Sequence, residues 1–335
     1  MAKISTKEKV LNLLDTTRGV YYSGQELAAK LGVSRTAIWK AINSLREEGY
    51  SIEGSTKLGY ALAKETDVLS ADTIRTLLNE EALAFYDVNC TALIDSTNAY
   101  LRTQGLDNAC EGTCMIAEEQ TAGRGRKGRS FYSPNSTGLY LSVLLRPKLS
   151  VEDSVLITTA AAVAAVKACE ATNDSLNEGD VKIKWVNDLF VRSKKFCGIL
   201  TEANFSMETH GFDFAVLGIG FNLAPPVGGW PEEIKNIAGS LFEEKSAPGS
   251  RNKLAANFLN EFLPIYKNLP NVTYLEEYRK RSLAIGKTVK VLEPDGSFKM
   301  ANVKGIDDRC QLIVVFEGEK EEKILNSGEI SIKLS

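Results

Sequence analysis

The chain has 335 residues, of which 44% are hydrophobic and 25% charged, a composition typical of a soluble globular protein with two or three domains. It contains no run of eighteen apolar residues and a single histidine, His210, which argues against a membrane span, a multi-histidine metal site and a Ser–His–Asp triad. Its first nine residues contain no apolar segment typical of a secretory signal, and its six cysteines form no Cys-x-x-Cys pair. We therefore expect a cytoplasmic protein with reduced thiols and no tightly bound metal.

The charge is distributed unevenly along the chain. Residues 1–64 contain ten Lys and Arg against six Asp and Glu, a balance of +4. The remaining residues carry −7, because the formal net charge of the chain is −3. A basic first domain on an acidic body predicts contact with nucleic acid at one end of the molecule only.

Three short helices are predicted in the basic domain. A capping box from Ser5 to Glu8 begins the first helix, and Ser23 begins the second. Ser34 caps a third helix, which follows a turn at Gly32 and ends near residue 49. A short helix, a glycine turn and a third helix form a helix-turn-helix pattern.

The third helix has one apolar face and one polar face. Its apolar residues recur at i, i+3, i+4 and i+7, the spacing of a buried face: Ile38, Ala41, Ile42 and Leu45. The residues left outside are candidates to contact DNA in a major groove: Ser34, Arg35, Thr36, Trp39, Lys40 and Asn43. A predicted hairpin over residues 50–62 would form a wing, with Lys57 placed to meet a phosphate. These features favour a winged helix-turn-helix DNA-binding domain over residues 1–64, and the alternative is a small helical interaction module.

Residues 65–284 are predicted to form a second, larger domain. Its expected helices are Ser70–Glu80, with Ile74, Leu77 and Leu78 facing inward, and Val151–Ala171, Ser250–Lys267 and Tyr274–Arg281. A strand over Val88–Ile94 leads into Ser96-Thr97-Asn98 at the start of a further helix. Three small polar side chains at such a junction suit either a polar ligand or the cap of the helix.

The stretch Gly123–Arg129 contains three glycines and four Lys or Arg residues between two predicted strands. It matches G-x-G-x-x-G, but a dinucleotide-binding fingerprint needs a helix directly afterwards, and here a loop follows. Arginine offers a planar fork of donors that suits phosphate and carboxylate groups, and glycine allows the backbone to approach a ligand closely. These features favour an anion-binding loop, and the alternative is a solvated basic hairpin tip.

Two charged residues precede or begin later strands. Asp188 lies at a predicted turn, where aspartate is common for conformational reasons alone. Lys195 begins an apolar strand, either as an edge residue that extends its charge into solvent or as a charge directed into a pocket. Gly198 lies inside the same strand, where glycine often marks the close approach of a ligand or of another backbone segment.

Residues 285–335 alternate between short strands and turns, which predicts a small closed β-barrel as a third domain without catalytic residues. The predicted fold is therefore α+β and multidomain.

These motifs, in this order, resemble those of the bifunctional biotin–protein ligases that also act as repressors of biotin operons. The resemblance covers nearly the whole chain and is based on Asp95–Asn98, Gln120–Arg129, Lys184–Asp188, Lys195–Glu202, Gly218–Asn222 and Ser327–Ser331. One departure is Val186, where the family usually has proline, and it puts the conformation of the turn before Asp188 in doubt.

The resemblance implies a central mixed-sheet domain of the class II synthetase-like, biotin–lipoate ligase type. It also implies that Mg-ATP activates biotin to biotinyl-5'-AMP, which then modifies a lysine of a biotin carboxyl carrier protein. The same adenylate would favour a homodimer that binds operator DNA and represses biotin genes. No membrane partner is expected.

The resemblance also implies roles for individual residues. Lys195 and Arg124 would lie between the biotin carboxylate and the triphosphate, and Asp188 would help to bind Mg²⁺ or organise the site. The residues expected to bind biotin or the adenylate are Ser96, Thr97, Asn98, Gln120, Gly123, Arg124, Gly125, Arg126, Arg129, Lys195, Gly198, Asn222 and Trp230.

Three other functions remain open at this point. The first is a lipoate ligase, which uses a related scaffold and an acyl-adenylate. The second is a non-enzymatic repressor that senses biotin or a nucleotide. The third is a ligase whose winged helix no longer binds an operator, a reading suggested by the exposed aromatic Trp39 on the recognition helix.

Overall fold

The computed structural model describes residues 5–47, 50–55, 58–64, 66–205, 211–292, 296–325 and 330–332. They form an N-terminal helical domain with a β-hairpin, a central domain built on a seven-stranded sheet, and a C-terminal domain built on a five-stranded sheet. The predicted α+β multidomain organisation is confirmed. Lys57 of the expected wing, and residues 327–329 of the last motif, lie outside the described residues.

The N-terminal domain has the predicted order of elements: α1 (Thr6–Thr16), α2 (Gly24–Leu31), α3 (Arg35–Glu47), β1 (Ile52–Ser55) and β2 (Gly59–Leu62). Capping boxes begin α1 at Ser5 and α2 at Ser23. Gly32 turns the chain between α2 and α3 with a φ of 66°, a left-handed conformation that glycine adopts at little cost. The apolar faces of the helices and the hairpin share one core, so the winged helix-turn-helix is a self-contained unit.

Helix α3 presents its polar face to solvent. The four residues predicted to face inward are buried. Of the predicted DNA-contact residues on this helix, Asn43 is half-buried and the others are exposed: Ser34, Arg35, Thr36, Trp39 and Lys40. Ser34 caps the helix, since its Oγ accepts a hydrogen bond from the backbone N–H of Ala37 at 3.2 Å.

The helix predicted over Ser70–Glu80 is two helices, α4 (Ala71–Leu77) and α5 (Glu80–Phe85). The Asn79 side chain accepts a hydrogen bond from the backbone N–H of Ala82 at 2.8 Å and so begins a new helix. One of the three residues predicted to face inward does not do so: Leu77 is 46% exposed. Ile74 and Leu78 face the core as predicted.

The central sheet has the order β3-β4-β5-β9-β8-β7-β6. Its strands are β3 (Asp87–Ile94), β4 (Thr113–Gln120), β5 (Gly138–Leu145), β6 (Lys182–Lys184), β7 (Asp188–Val191), β8 (Lys194–Phe205) and β9 (Phe212–Asn222). Strands β3 and β4 are parallel, and the helix α6 (Thr97–Leu106) connects them, whereas the other neighbouring strands are antiparallel. This is the mixed sheet that the resemblance implied.

Helices cover both faces of the central sheet. Alternate residues of β5 and β9 pack either with α6 or with two longer helices, α7 (Val155–Thr172) and α8 (Ser250–Lys267), and a short helix, α9 (Leu275–Lys280), follows. By length and composition, the segment Glu152–Thr172 could cross a membrane, but 72% of its apolar window is buried within the protein. Burial of this extent identifies α7 as a core helix.

The C-terminal domain is a small antiparallel sheet in the order β13-β12-β11-β10-β14. Its strands are β10 (Thr288–Leu292), β11 (Phe298–Ile306), β12 (Leu312–Phe316), β13 (Lys323–Leu325) and β14 (Ile330–Ile332). The predicted small β-domain is confirmed. Closure into a barrel would require β13 to pair with β14, and among the described residues these three-residue strands are the two edges of the sheet.

Arg251, at the start of α8, holds the segment that connects the first two domains. Its side chain is 1% exposed, and its Nε donates a hydrogen bond to Asp67 Oδ2 at 3.0 Å. Its Nη2 lies 3.6 Å from Glu118 Oε1 on β4, and the same oxygen accepts a hydrogen bond from the backbone N–H of Leu69 at 3.0 Å. The connection between the domains is thereby tied to both α8 and β4.

The C-terminal domain is fixed beside the segment between β6 and β7. The indole Nε1 of Trp185 donates a hydrogen bond to the carbonyl oxygen of Cys310 at 2.9 Å. Arg279 donates from Nε to the carbonyl oxygen of Ile306 at 2.9 Å and from Nη2 to Asp308 Oδ1 at 2.8 Å. Val186 is buried, and its carbonyl oxygen accepts a hydrogen bond from Tyr278 Oη at 3.0 Å, so valine is accommodated where the family usually has proline.

Replacing Arg251 by alanine is expected to lower the free energy of unfolding by about 2–4 kcal/mol, because Asp67 and Glu118 would lose the cation that compensates their partial burial. Chemical denaturation would measure the loss. Lys167→Ala is the matched control, since its ion pair with Glu261 lies on the surface and contributes about 0–1 kcal/mol. Equal losses in the two variants would contradict the role assigned to Arg251.

Candidate active site

A cavity of about 350 Å³ lies at one edge of the central sheet, between the Gly123–Arg129 loop, the start of α6 and the strands β7, β8 and β9. Most of the residues singled out from the sequence line it: Ser96, Thr97, Asn98, Gln120, Arg124, Gly125, Arg126, Arg129, Asp188, Lys195 and Gly198. The fold therefore brings together residues that are up to 102 positions apart in the chain, as in the contact between Asn98 and Leu200.

Polar side chains at the start of α6 form a connected network with β4 and β5. Gln120 Oε1 accepts hydrogen bonds from the backbone N–H of Thr97 at 2.9 Å and from its Oγ1 at 3.1 Å. Gln120 Nε2 donates to Ser133 Oγ at 3.0 Å, and Ser142 Oγ lies 2.7 Å from Thr97 Oγ1. Ser96 caps α6, accepting from the backbone N–H of Ala99 at 3.4 Å. Ser96 therefore caps the helix and also lines the cavity, and its role toward a ligand stays a prediction.

Asn98 is held by contacts on every side of its amide group. Its Nδ2 donates hydrogen bonds to Glu202 Oε2 at 2.9 Å and to the carbonyl oxygen of Leu200 at 3.4 Å. Its Oδ1 accepts a hydrogen bond from Ser142 Oγ at 2.6 Å. A Cβ on Gly218 would lie 1.9 Å from Asn98 Oδ1, so only glycine at this position leaves room for the asparagine.

Glycines on two neighbouring strands also make room for an aromatic ring. Gly198 and Gly220 face each other across β8 and β9. The Phe131 ring lies over both, because a Cβ on Gly220 would lie 2.6 Å from its Cε1 and a Cβ on Gly198 would lie 3.2 Å from its Cε2. Gly198 therefore marks a close approach, but the approaching groups are the Phe131 ring and the Lys195 side chain, whereas the sequence suggested a ligand or another backbone segment.

The Gly123–Arg129 loop is a tight turn between extended segments. The backbone N–H of Gly125 donates a hydrogen bond to the carbonyl oxygen of Arg129 at 2.7 Å. The backbone N–H of Phe131 donates one to the carbonyl oxygen of Gly123 at 2.9 Å. Lys127 and Gly128 adopt left-handed φ values of 56° and 73°, which reverse the chain within a single 3₁₀ turn. The loop lies between β4 and β5 without a helix after it, as predicted.

Side chains of this loop reach across the cavity. Arg126 Nη1 donates a hydrogen bond to Asn187 Oδ1 at 3.2 Å. Arg124 Nη1 lies 3.7 Å from Glu202 Oε1, with 46% of the arginine side chain exposed. The loop is thus tethered to β8 and to the residue before β7, and its guanidinium groups line the cavity.

Asp188, the first residue of β7, and Lys195 of the neighbouring strand β8 form an ion pair. Lys195 Nζ lies 2.7 Å from Asp188 Oδ1, and both side chains are more than half buried. The backbone of Lys195 is fixed by a hydrogen bond from its N–H to the carbonyl oxygen of Ile237 at 2.8 Å. Of the two alternatives for Lys195, the structure favours a charge directed into a pocket.

Asp188 is the carboxylate that lines this end of the cavity. Its Oδ1 is buried and lies 2.7 Å from Lys195 Nζ, so the ammonium group already occupies this oxygen. No group of three or more His, Cys, Asp or Glu that could hold a metal occurs in the part of the chain that the structure describes. A magnesium ion here would therefore take most of its ligands from phosphate oxygens and water.

Three predicted residues do not line this cavity. Gly123 is buried beneath the loop, where a Cβ would lie 2.4 Å from the carbonyl oxygen of Phe131. Asn222 donates from Nδ2 to the carbonyl oxygen of Gly239 at 3.1 Å at the end of β9. Trp230 packs edge-to-face against Tyr132, with ring centroids 6.4 Å apart. Their roles toward a ligand stay predictions.

Some residues in or next to the cavity were missed by reasoning from the sequence. Ser142 does not line the cavity but supports two residues that do, Thr97 and Asn98, and a small polar residue among the larger side chains of the Leu139–Leu145 segment was the available signal. Phe298 lines the cavity from the C-terminal domain, which was expected to contribute nothing there. Lys184 and Asn187 are also cavity residues, and they were quoted only as parts of a motif.

The site offers no reactive thiol. Cys197 lies next to the cavity strand residues but is fully buried, and burial raises the pKa of its thiol well above the usual value. The thiolate is the nucleophilic form, so this cysteine is inert near neutral pH. The remaining polar groups can bind an anion and form hydrogen bonds with a ligand. Such groups are typical of an enzyme that acts by positioning its substrates.

The comparisons with known proteins define the class. A model of the "Biotin/lipoate A/B protein ligase family" matches residues 90–222. A model described as "HTH domain" matches residues 6–61, and one described as "Biotin protein ligase C terminal domain" matches residues 284–333. Together they describe a protein ligase with a DNA-binding-type domain at its N-terminus.

Individual relatives narrow the class. The chain is 32% identical to the bifunctional ligase/repressor BirA of Bacillus subtilis, over 97% of this chain and 98% of the relative. It is 30% identical to BirA of Escherichia coli, over 97% and 96% of the two chains. The solved biotin protein ligase of Aquifex aeolicus, in complex with biotin and ATP, is 26% identical with a TM-score of 0.61, covering 75% of this chain and 100% of that one. The chain belongs to the biotin–protein ligase family, among its bifunctional ligase/repressors.

Replacing Gly218 by alanine is expected to displace Asn98 and weaken ligand binding in the cavity at least about tenfold, because a hydrogen bond to a buried amide would be lost. Calorimetric titration with biotin would measure this loss. Gly305→Ala is the matched control, since the nearest atom to its added Cβ is 4.0 Å away and the residue lies in β11. Unchanged binding in Gly218→Ala would show that Asn98 plays no part in binding.

Proposed function

We propose that this protein activates biotin with ATP and transfers it to a lysine of a biotin carboxyl carrier protein, and that it represses biotin genes in response to biotin. The observation that carries the proposal is the convergence of Lys195, Asp188 and the Gly123–Arg129 loop on one cavity in a chain of this family. The relatives named above are called bifunctional ligase/repressors, and a structural neighbour holds biotin and ATP.

In the first step, a carboxylate oxygen of biotin bonds to the α-phosphorus of ATP, and pyrophosphate leaves. Carboxylate and triphosphate repel one another, by about 1–4 kcal/mol for two unit charges 4 Å apart at effective dielectric constants of 80–20. Lys195 and Arg124 are the cations that would lie between them. Asp188 holds the ammonium group of Lys195 in place before either anion arrives, so little reorganisation is needed at the moment of reaction.

In the second step, a lysine amine of the carrier protein attacks the carbonyl carbon of the mixed anhydride, and AMP leaves. No enzyme nucleophile takes part, which agrees with the inert Cys197. Arg126 and Arg129 would stabilise the negative charge on the departing phosphate, since guanidinium groups pair well with phosphate oxygens. Magnesium would accompany ATP, with Asp188 as its protein ligand, and would neutralise phosphate charge.

The biotin ring and its valeryl chain would occupy the end of the cavity at the start of α6. Ureido groups both donate and accept hydrogen bonds, and this end supplies hydroxyl and amide groups from Ser96, Thr97, Asn98 and Gln120. The adenylate would lie toward the Lys195 end, with Asn222 contributing from the end of β9 and Trp230 from the segment that follows it.

Biotin transfer tests the enzymatic proposal. The protein would be incubated with an isolated carrier domain, Mg-ATP and biotin, and the mass of the carrier would be followed. A gain in carrier mass equal to a biotinyl group supports the proposal. A gain equal to a lipoyl group, with lipoate supplied in place of biotin, favours a lipoate ligase, which the matched family description also includes. Absence of pyrophosphate release over hours would favour a repressor that only senses its ligand.

Lys195→Ala is expected to slow formation of the adenylate by at least about a hundredfold, because a cation is removed from between two anions. Pyrophosphate release in a single turnover measures this step. The melting temperature should change less than the activity, since 31% of the Lys195 side chain is exposed and a partly exposed ion pair contributes little to stability. Parallel losses of activity and melting temperature would point instead to a structural role.

The DNA-binding part of the proposal places α3 in a major groove of operator DNA. It is supported by the exposed polar face of α3 and by the net charge of +4 over residues 1–64. Adenylate would favour a cytoplasmic homodimer that reads two half-sites. A ligand shifts that equilibrium only by its different affinity for monomer and dimer, so consumption of the adenylate by the carrier protein would release the DNA.

Arg35→Ala and Lys40→Ala are expected to weaken binding to the DNA upstream of biotin genes, with the slope of log affinity against log salt reduced by about one per lost phosphate contact. Gel shifts with and without biotin and ATP measure it, and biotin transfer should stay intact. Lys9→Ala, an exposed cation on α1, is the control for charge alone. No binding by the unaltered protein would favour a ligase without an operator.

A further inference from the structure

Glu202 is a carboxylate beside the cavity that neither reaction step uses. It lies on β8, two residues beyond the cavity residue Leu200, and its side chain is 26% exposed. Its two oxygens face different parts of the site. One contacts Asn98 at the start of α6, and the other contacts Arg124 in the Gly123–Arg129 loop.

The contact with Asn98 sets the direction of a buried amide. Asn98 is 4% exposed, and its Nδ2 donates to Glu202 Oε2 at 2.9 Å. Because a carboxylate only accepts hydrogen bonds, it selects the orientation in which Nδ2 points toward β8 and Oδ1 points toward Ser142. Gly218 leaves room for the amide in this orientation. The direction of the Asn98 amide is therefore set by Glu202 on one side and Ser142 on the other.

The contact with Arg124 is looser. Nη1 and Oε1 are 3.7 Å apart, which is an ion pair without a hydrogen bond, and 46% of the arginine side chain is exposed. Pairs of this kind change an equilibrium constant by about two- to fivefold. An anionic ligand that makes closer contacts with Arg124 would replace Glu202 easily.

We propose that Glu202 is a positioning residue with two contacts. One of its oxygens orients Asn98, and the other holds Arg124 beside the cavity until the acyl-adenylate takes the place of Glu202 at Arg124. The inference rests on the proposed function, since it takes biotin as the ligand of Asn98 and biotinyl-5'-AMP as the ligand of Arg124. The carboxylate keeps Arg124 within reach of the site at a small cost in affinity for the anion. It also links the hydrogen-bonding end of the cavity to the anion-binding loop through one side chain.

Two substitutions at this position separate the two contacts. Glu202→Ala removes both, and the KM for biotin is expected to rise about tenfold, because Asn98 loses a charged acceptor. Glu202→Gln keeps an oxygen for Asn98 and removes the charge near Arg124. It should recover most of the loss in KM and release biotinyl-5'-AMP about two- to fivefold more slowly than the unaltered protein.

Arg124 supplies the control for the second contact. In an Arg124→Ala background, Glu202→Gln should no longer slow the release of the adenylate, since the cation whose charge it frees is absent. Stopped-flow measurement of adenylate release in all four proteins completes the cycle. Slower release that persists without Arg124 would overturn the assignment, and so would release from Glu202→Gln as fast as from the unaltered protein.

The outcomes also distinguish this inference from the function on which it rests. If the unaltered protein transfers no biotin, both fail together. If it transfers biotin and Glu202→Ala leaves the KM for biotin unchanged, the inference alone fails. A Glu202→Gln variant whose KM rises as much as that of Glu202→Ala also overturns it, and melting curves of Glu202→Gln show whether the comparison is between folded proteins.

Discussion

The cavity must keep several cations ready for anionic ligands while those ligands are absent. Unpaired charges are costly to hold in a partly buried site, so the protein gives its cations partners of graded strength. Lys195 contacts Asp188 at 2.7 Å, Arg126 donates to Asn187 at 3.2 Å, and Arg124 lies 3.7 Å from Glu202. The tightest pair joins the neighbouring strands β7 and β8, and the loosest joins β8 to the exposed loop. Under the proposed function, a ligand would therefore recruit the loop while Lys195 stays in place.

The same geometry depends on glycines in the sheet. Gly198, Gly218 and Gly220 have no side chains where Phe131, Lys195 and Asn98 approach the strands. Strand β4 adds a connection to the DNA-binding domain, because Gln120 holds Thr97 in the cavity, whereas Glu118 contacts Arg251, which binds Asp67 between the domains. Two residues of one strand thus contact a cavity residue and the interdomain segment.

Predictions from the sequence succeeded where the determinants are local. The bounds of α8 agree with the predicted Ser250–Lys267, because strong apolar periodicity defines that helix. The prediction of a single helix over Ser70–Glu80 was wrong, because apolar periodicity did not reveal that Asn79 caps a second helix. The pattern of short strands predicted a closed barrel, but closure requires the edge strands β13 and β14 to pair. That pairing depends on the whole domain and cannot be predicted from the pattern of the individual strands.

By itself the sequence determined the order of the domains, the polar face of α3 and the glycine–arginine loop, together with Lys195 and Asp188 as candidates. These features depend on residue type and short spacing. Only the tertiary structure decided that Ser142 and Glu202 support Asn98, that Phe298 reaches the cavity, and that Gly123, Asn222 and Trp230 lie outside its lining. The physical reason is distance along the chain, because these contacts join different strands and domains, and no local pattern records which segments the fold will bring together.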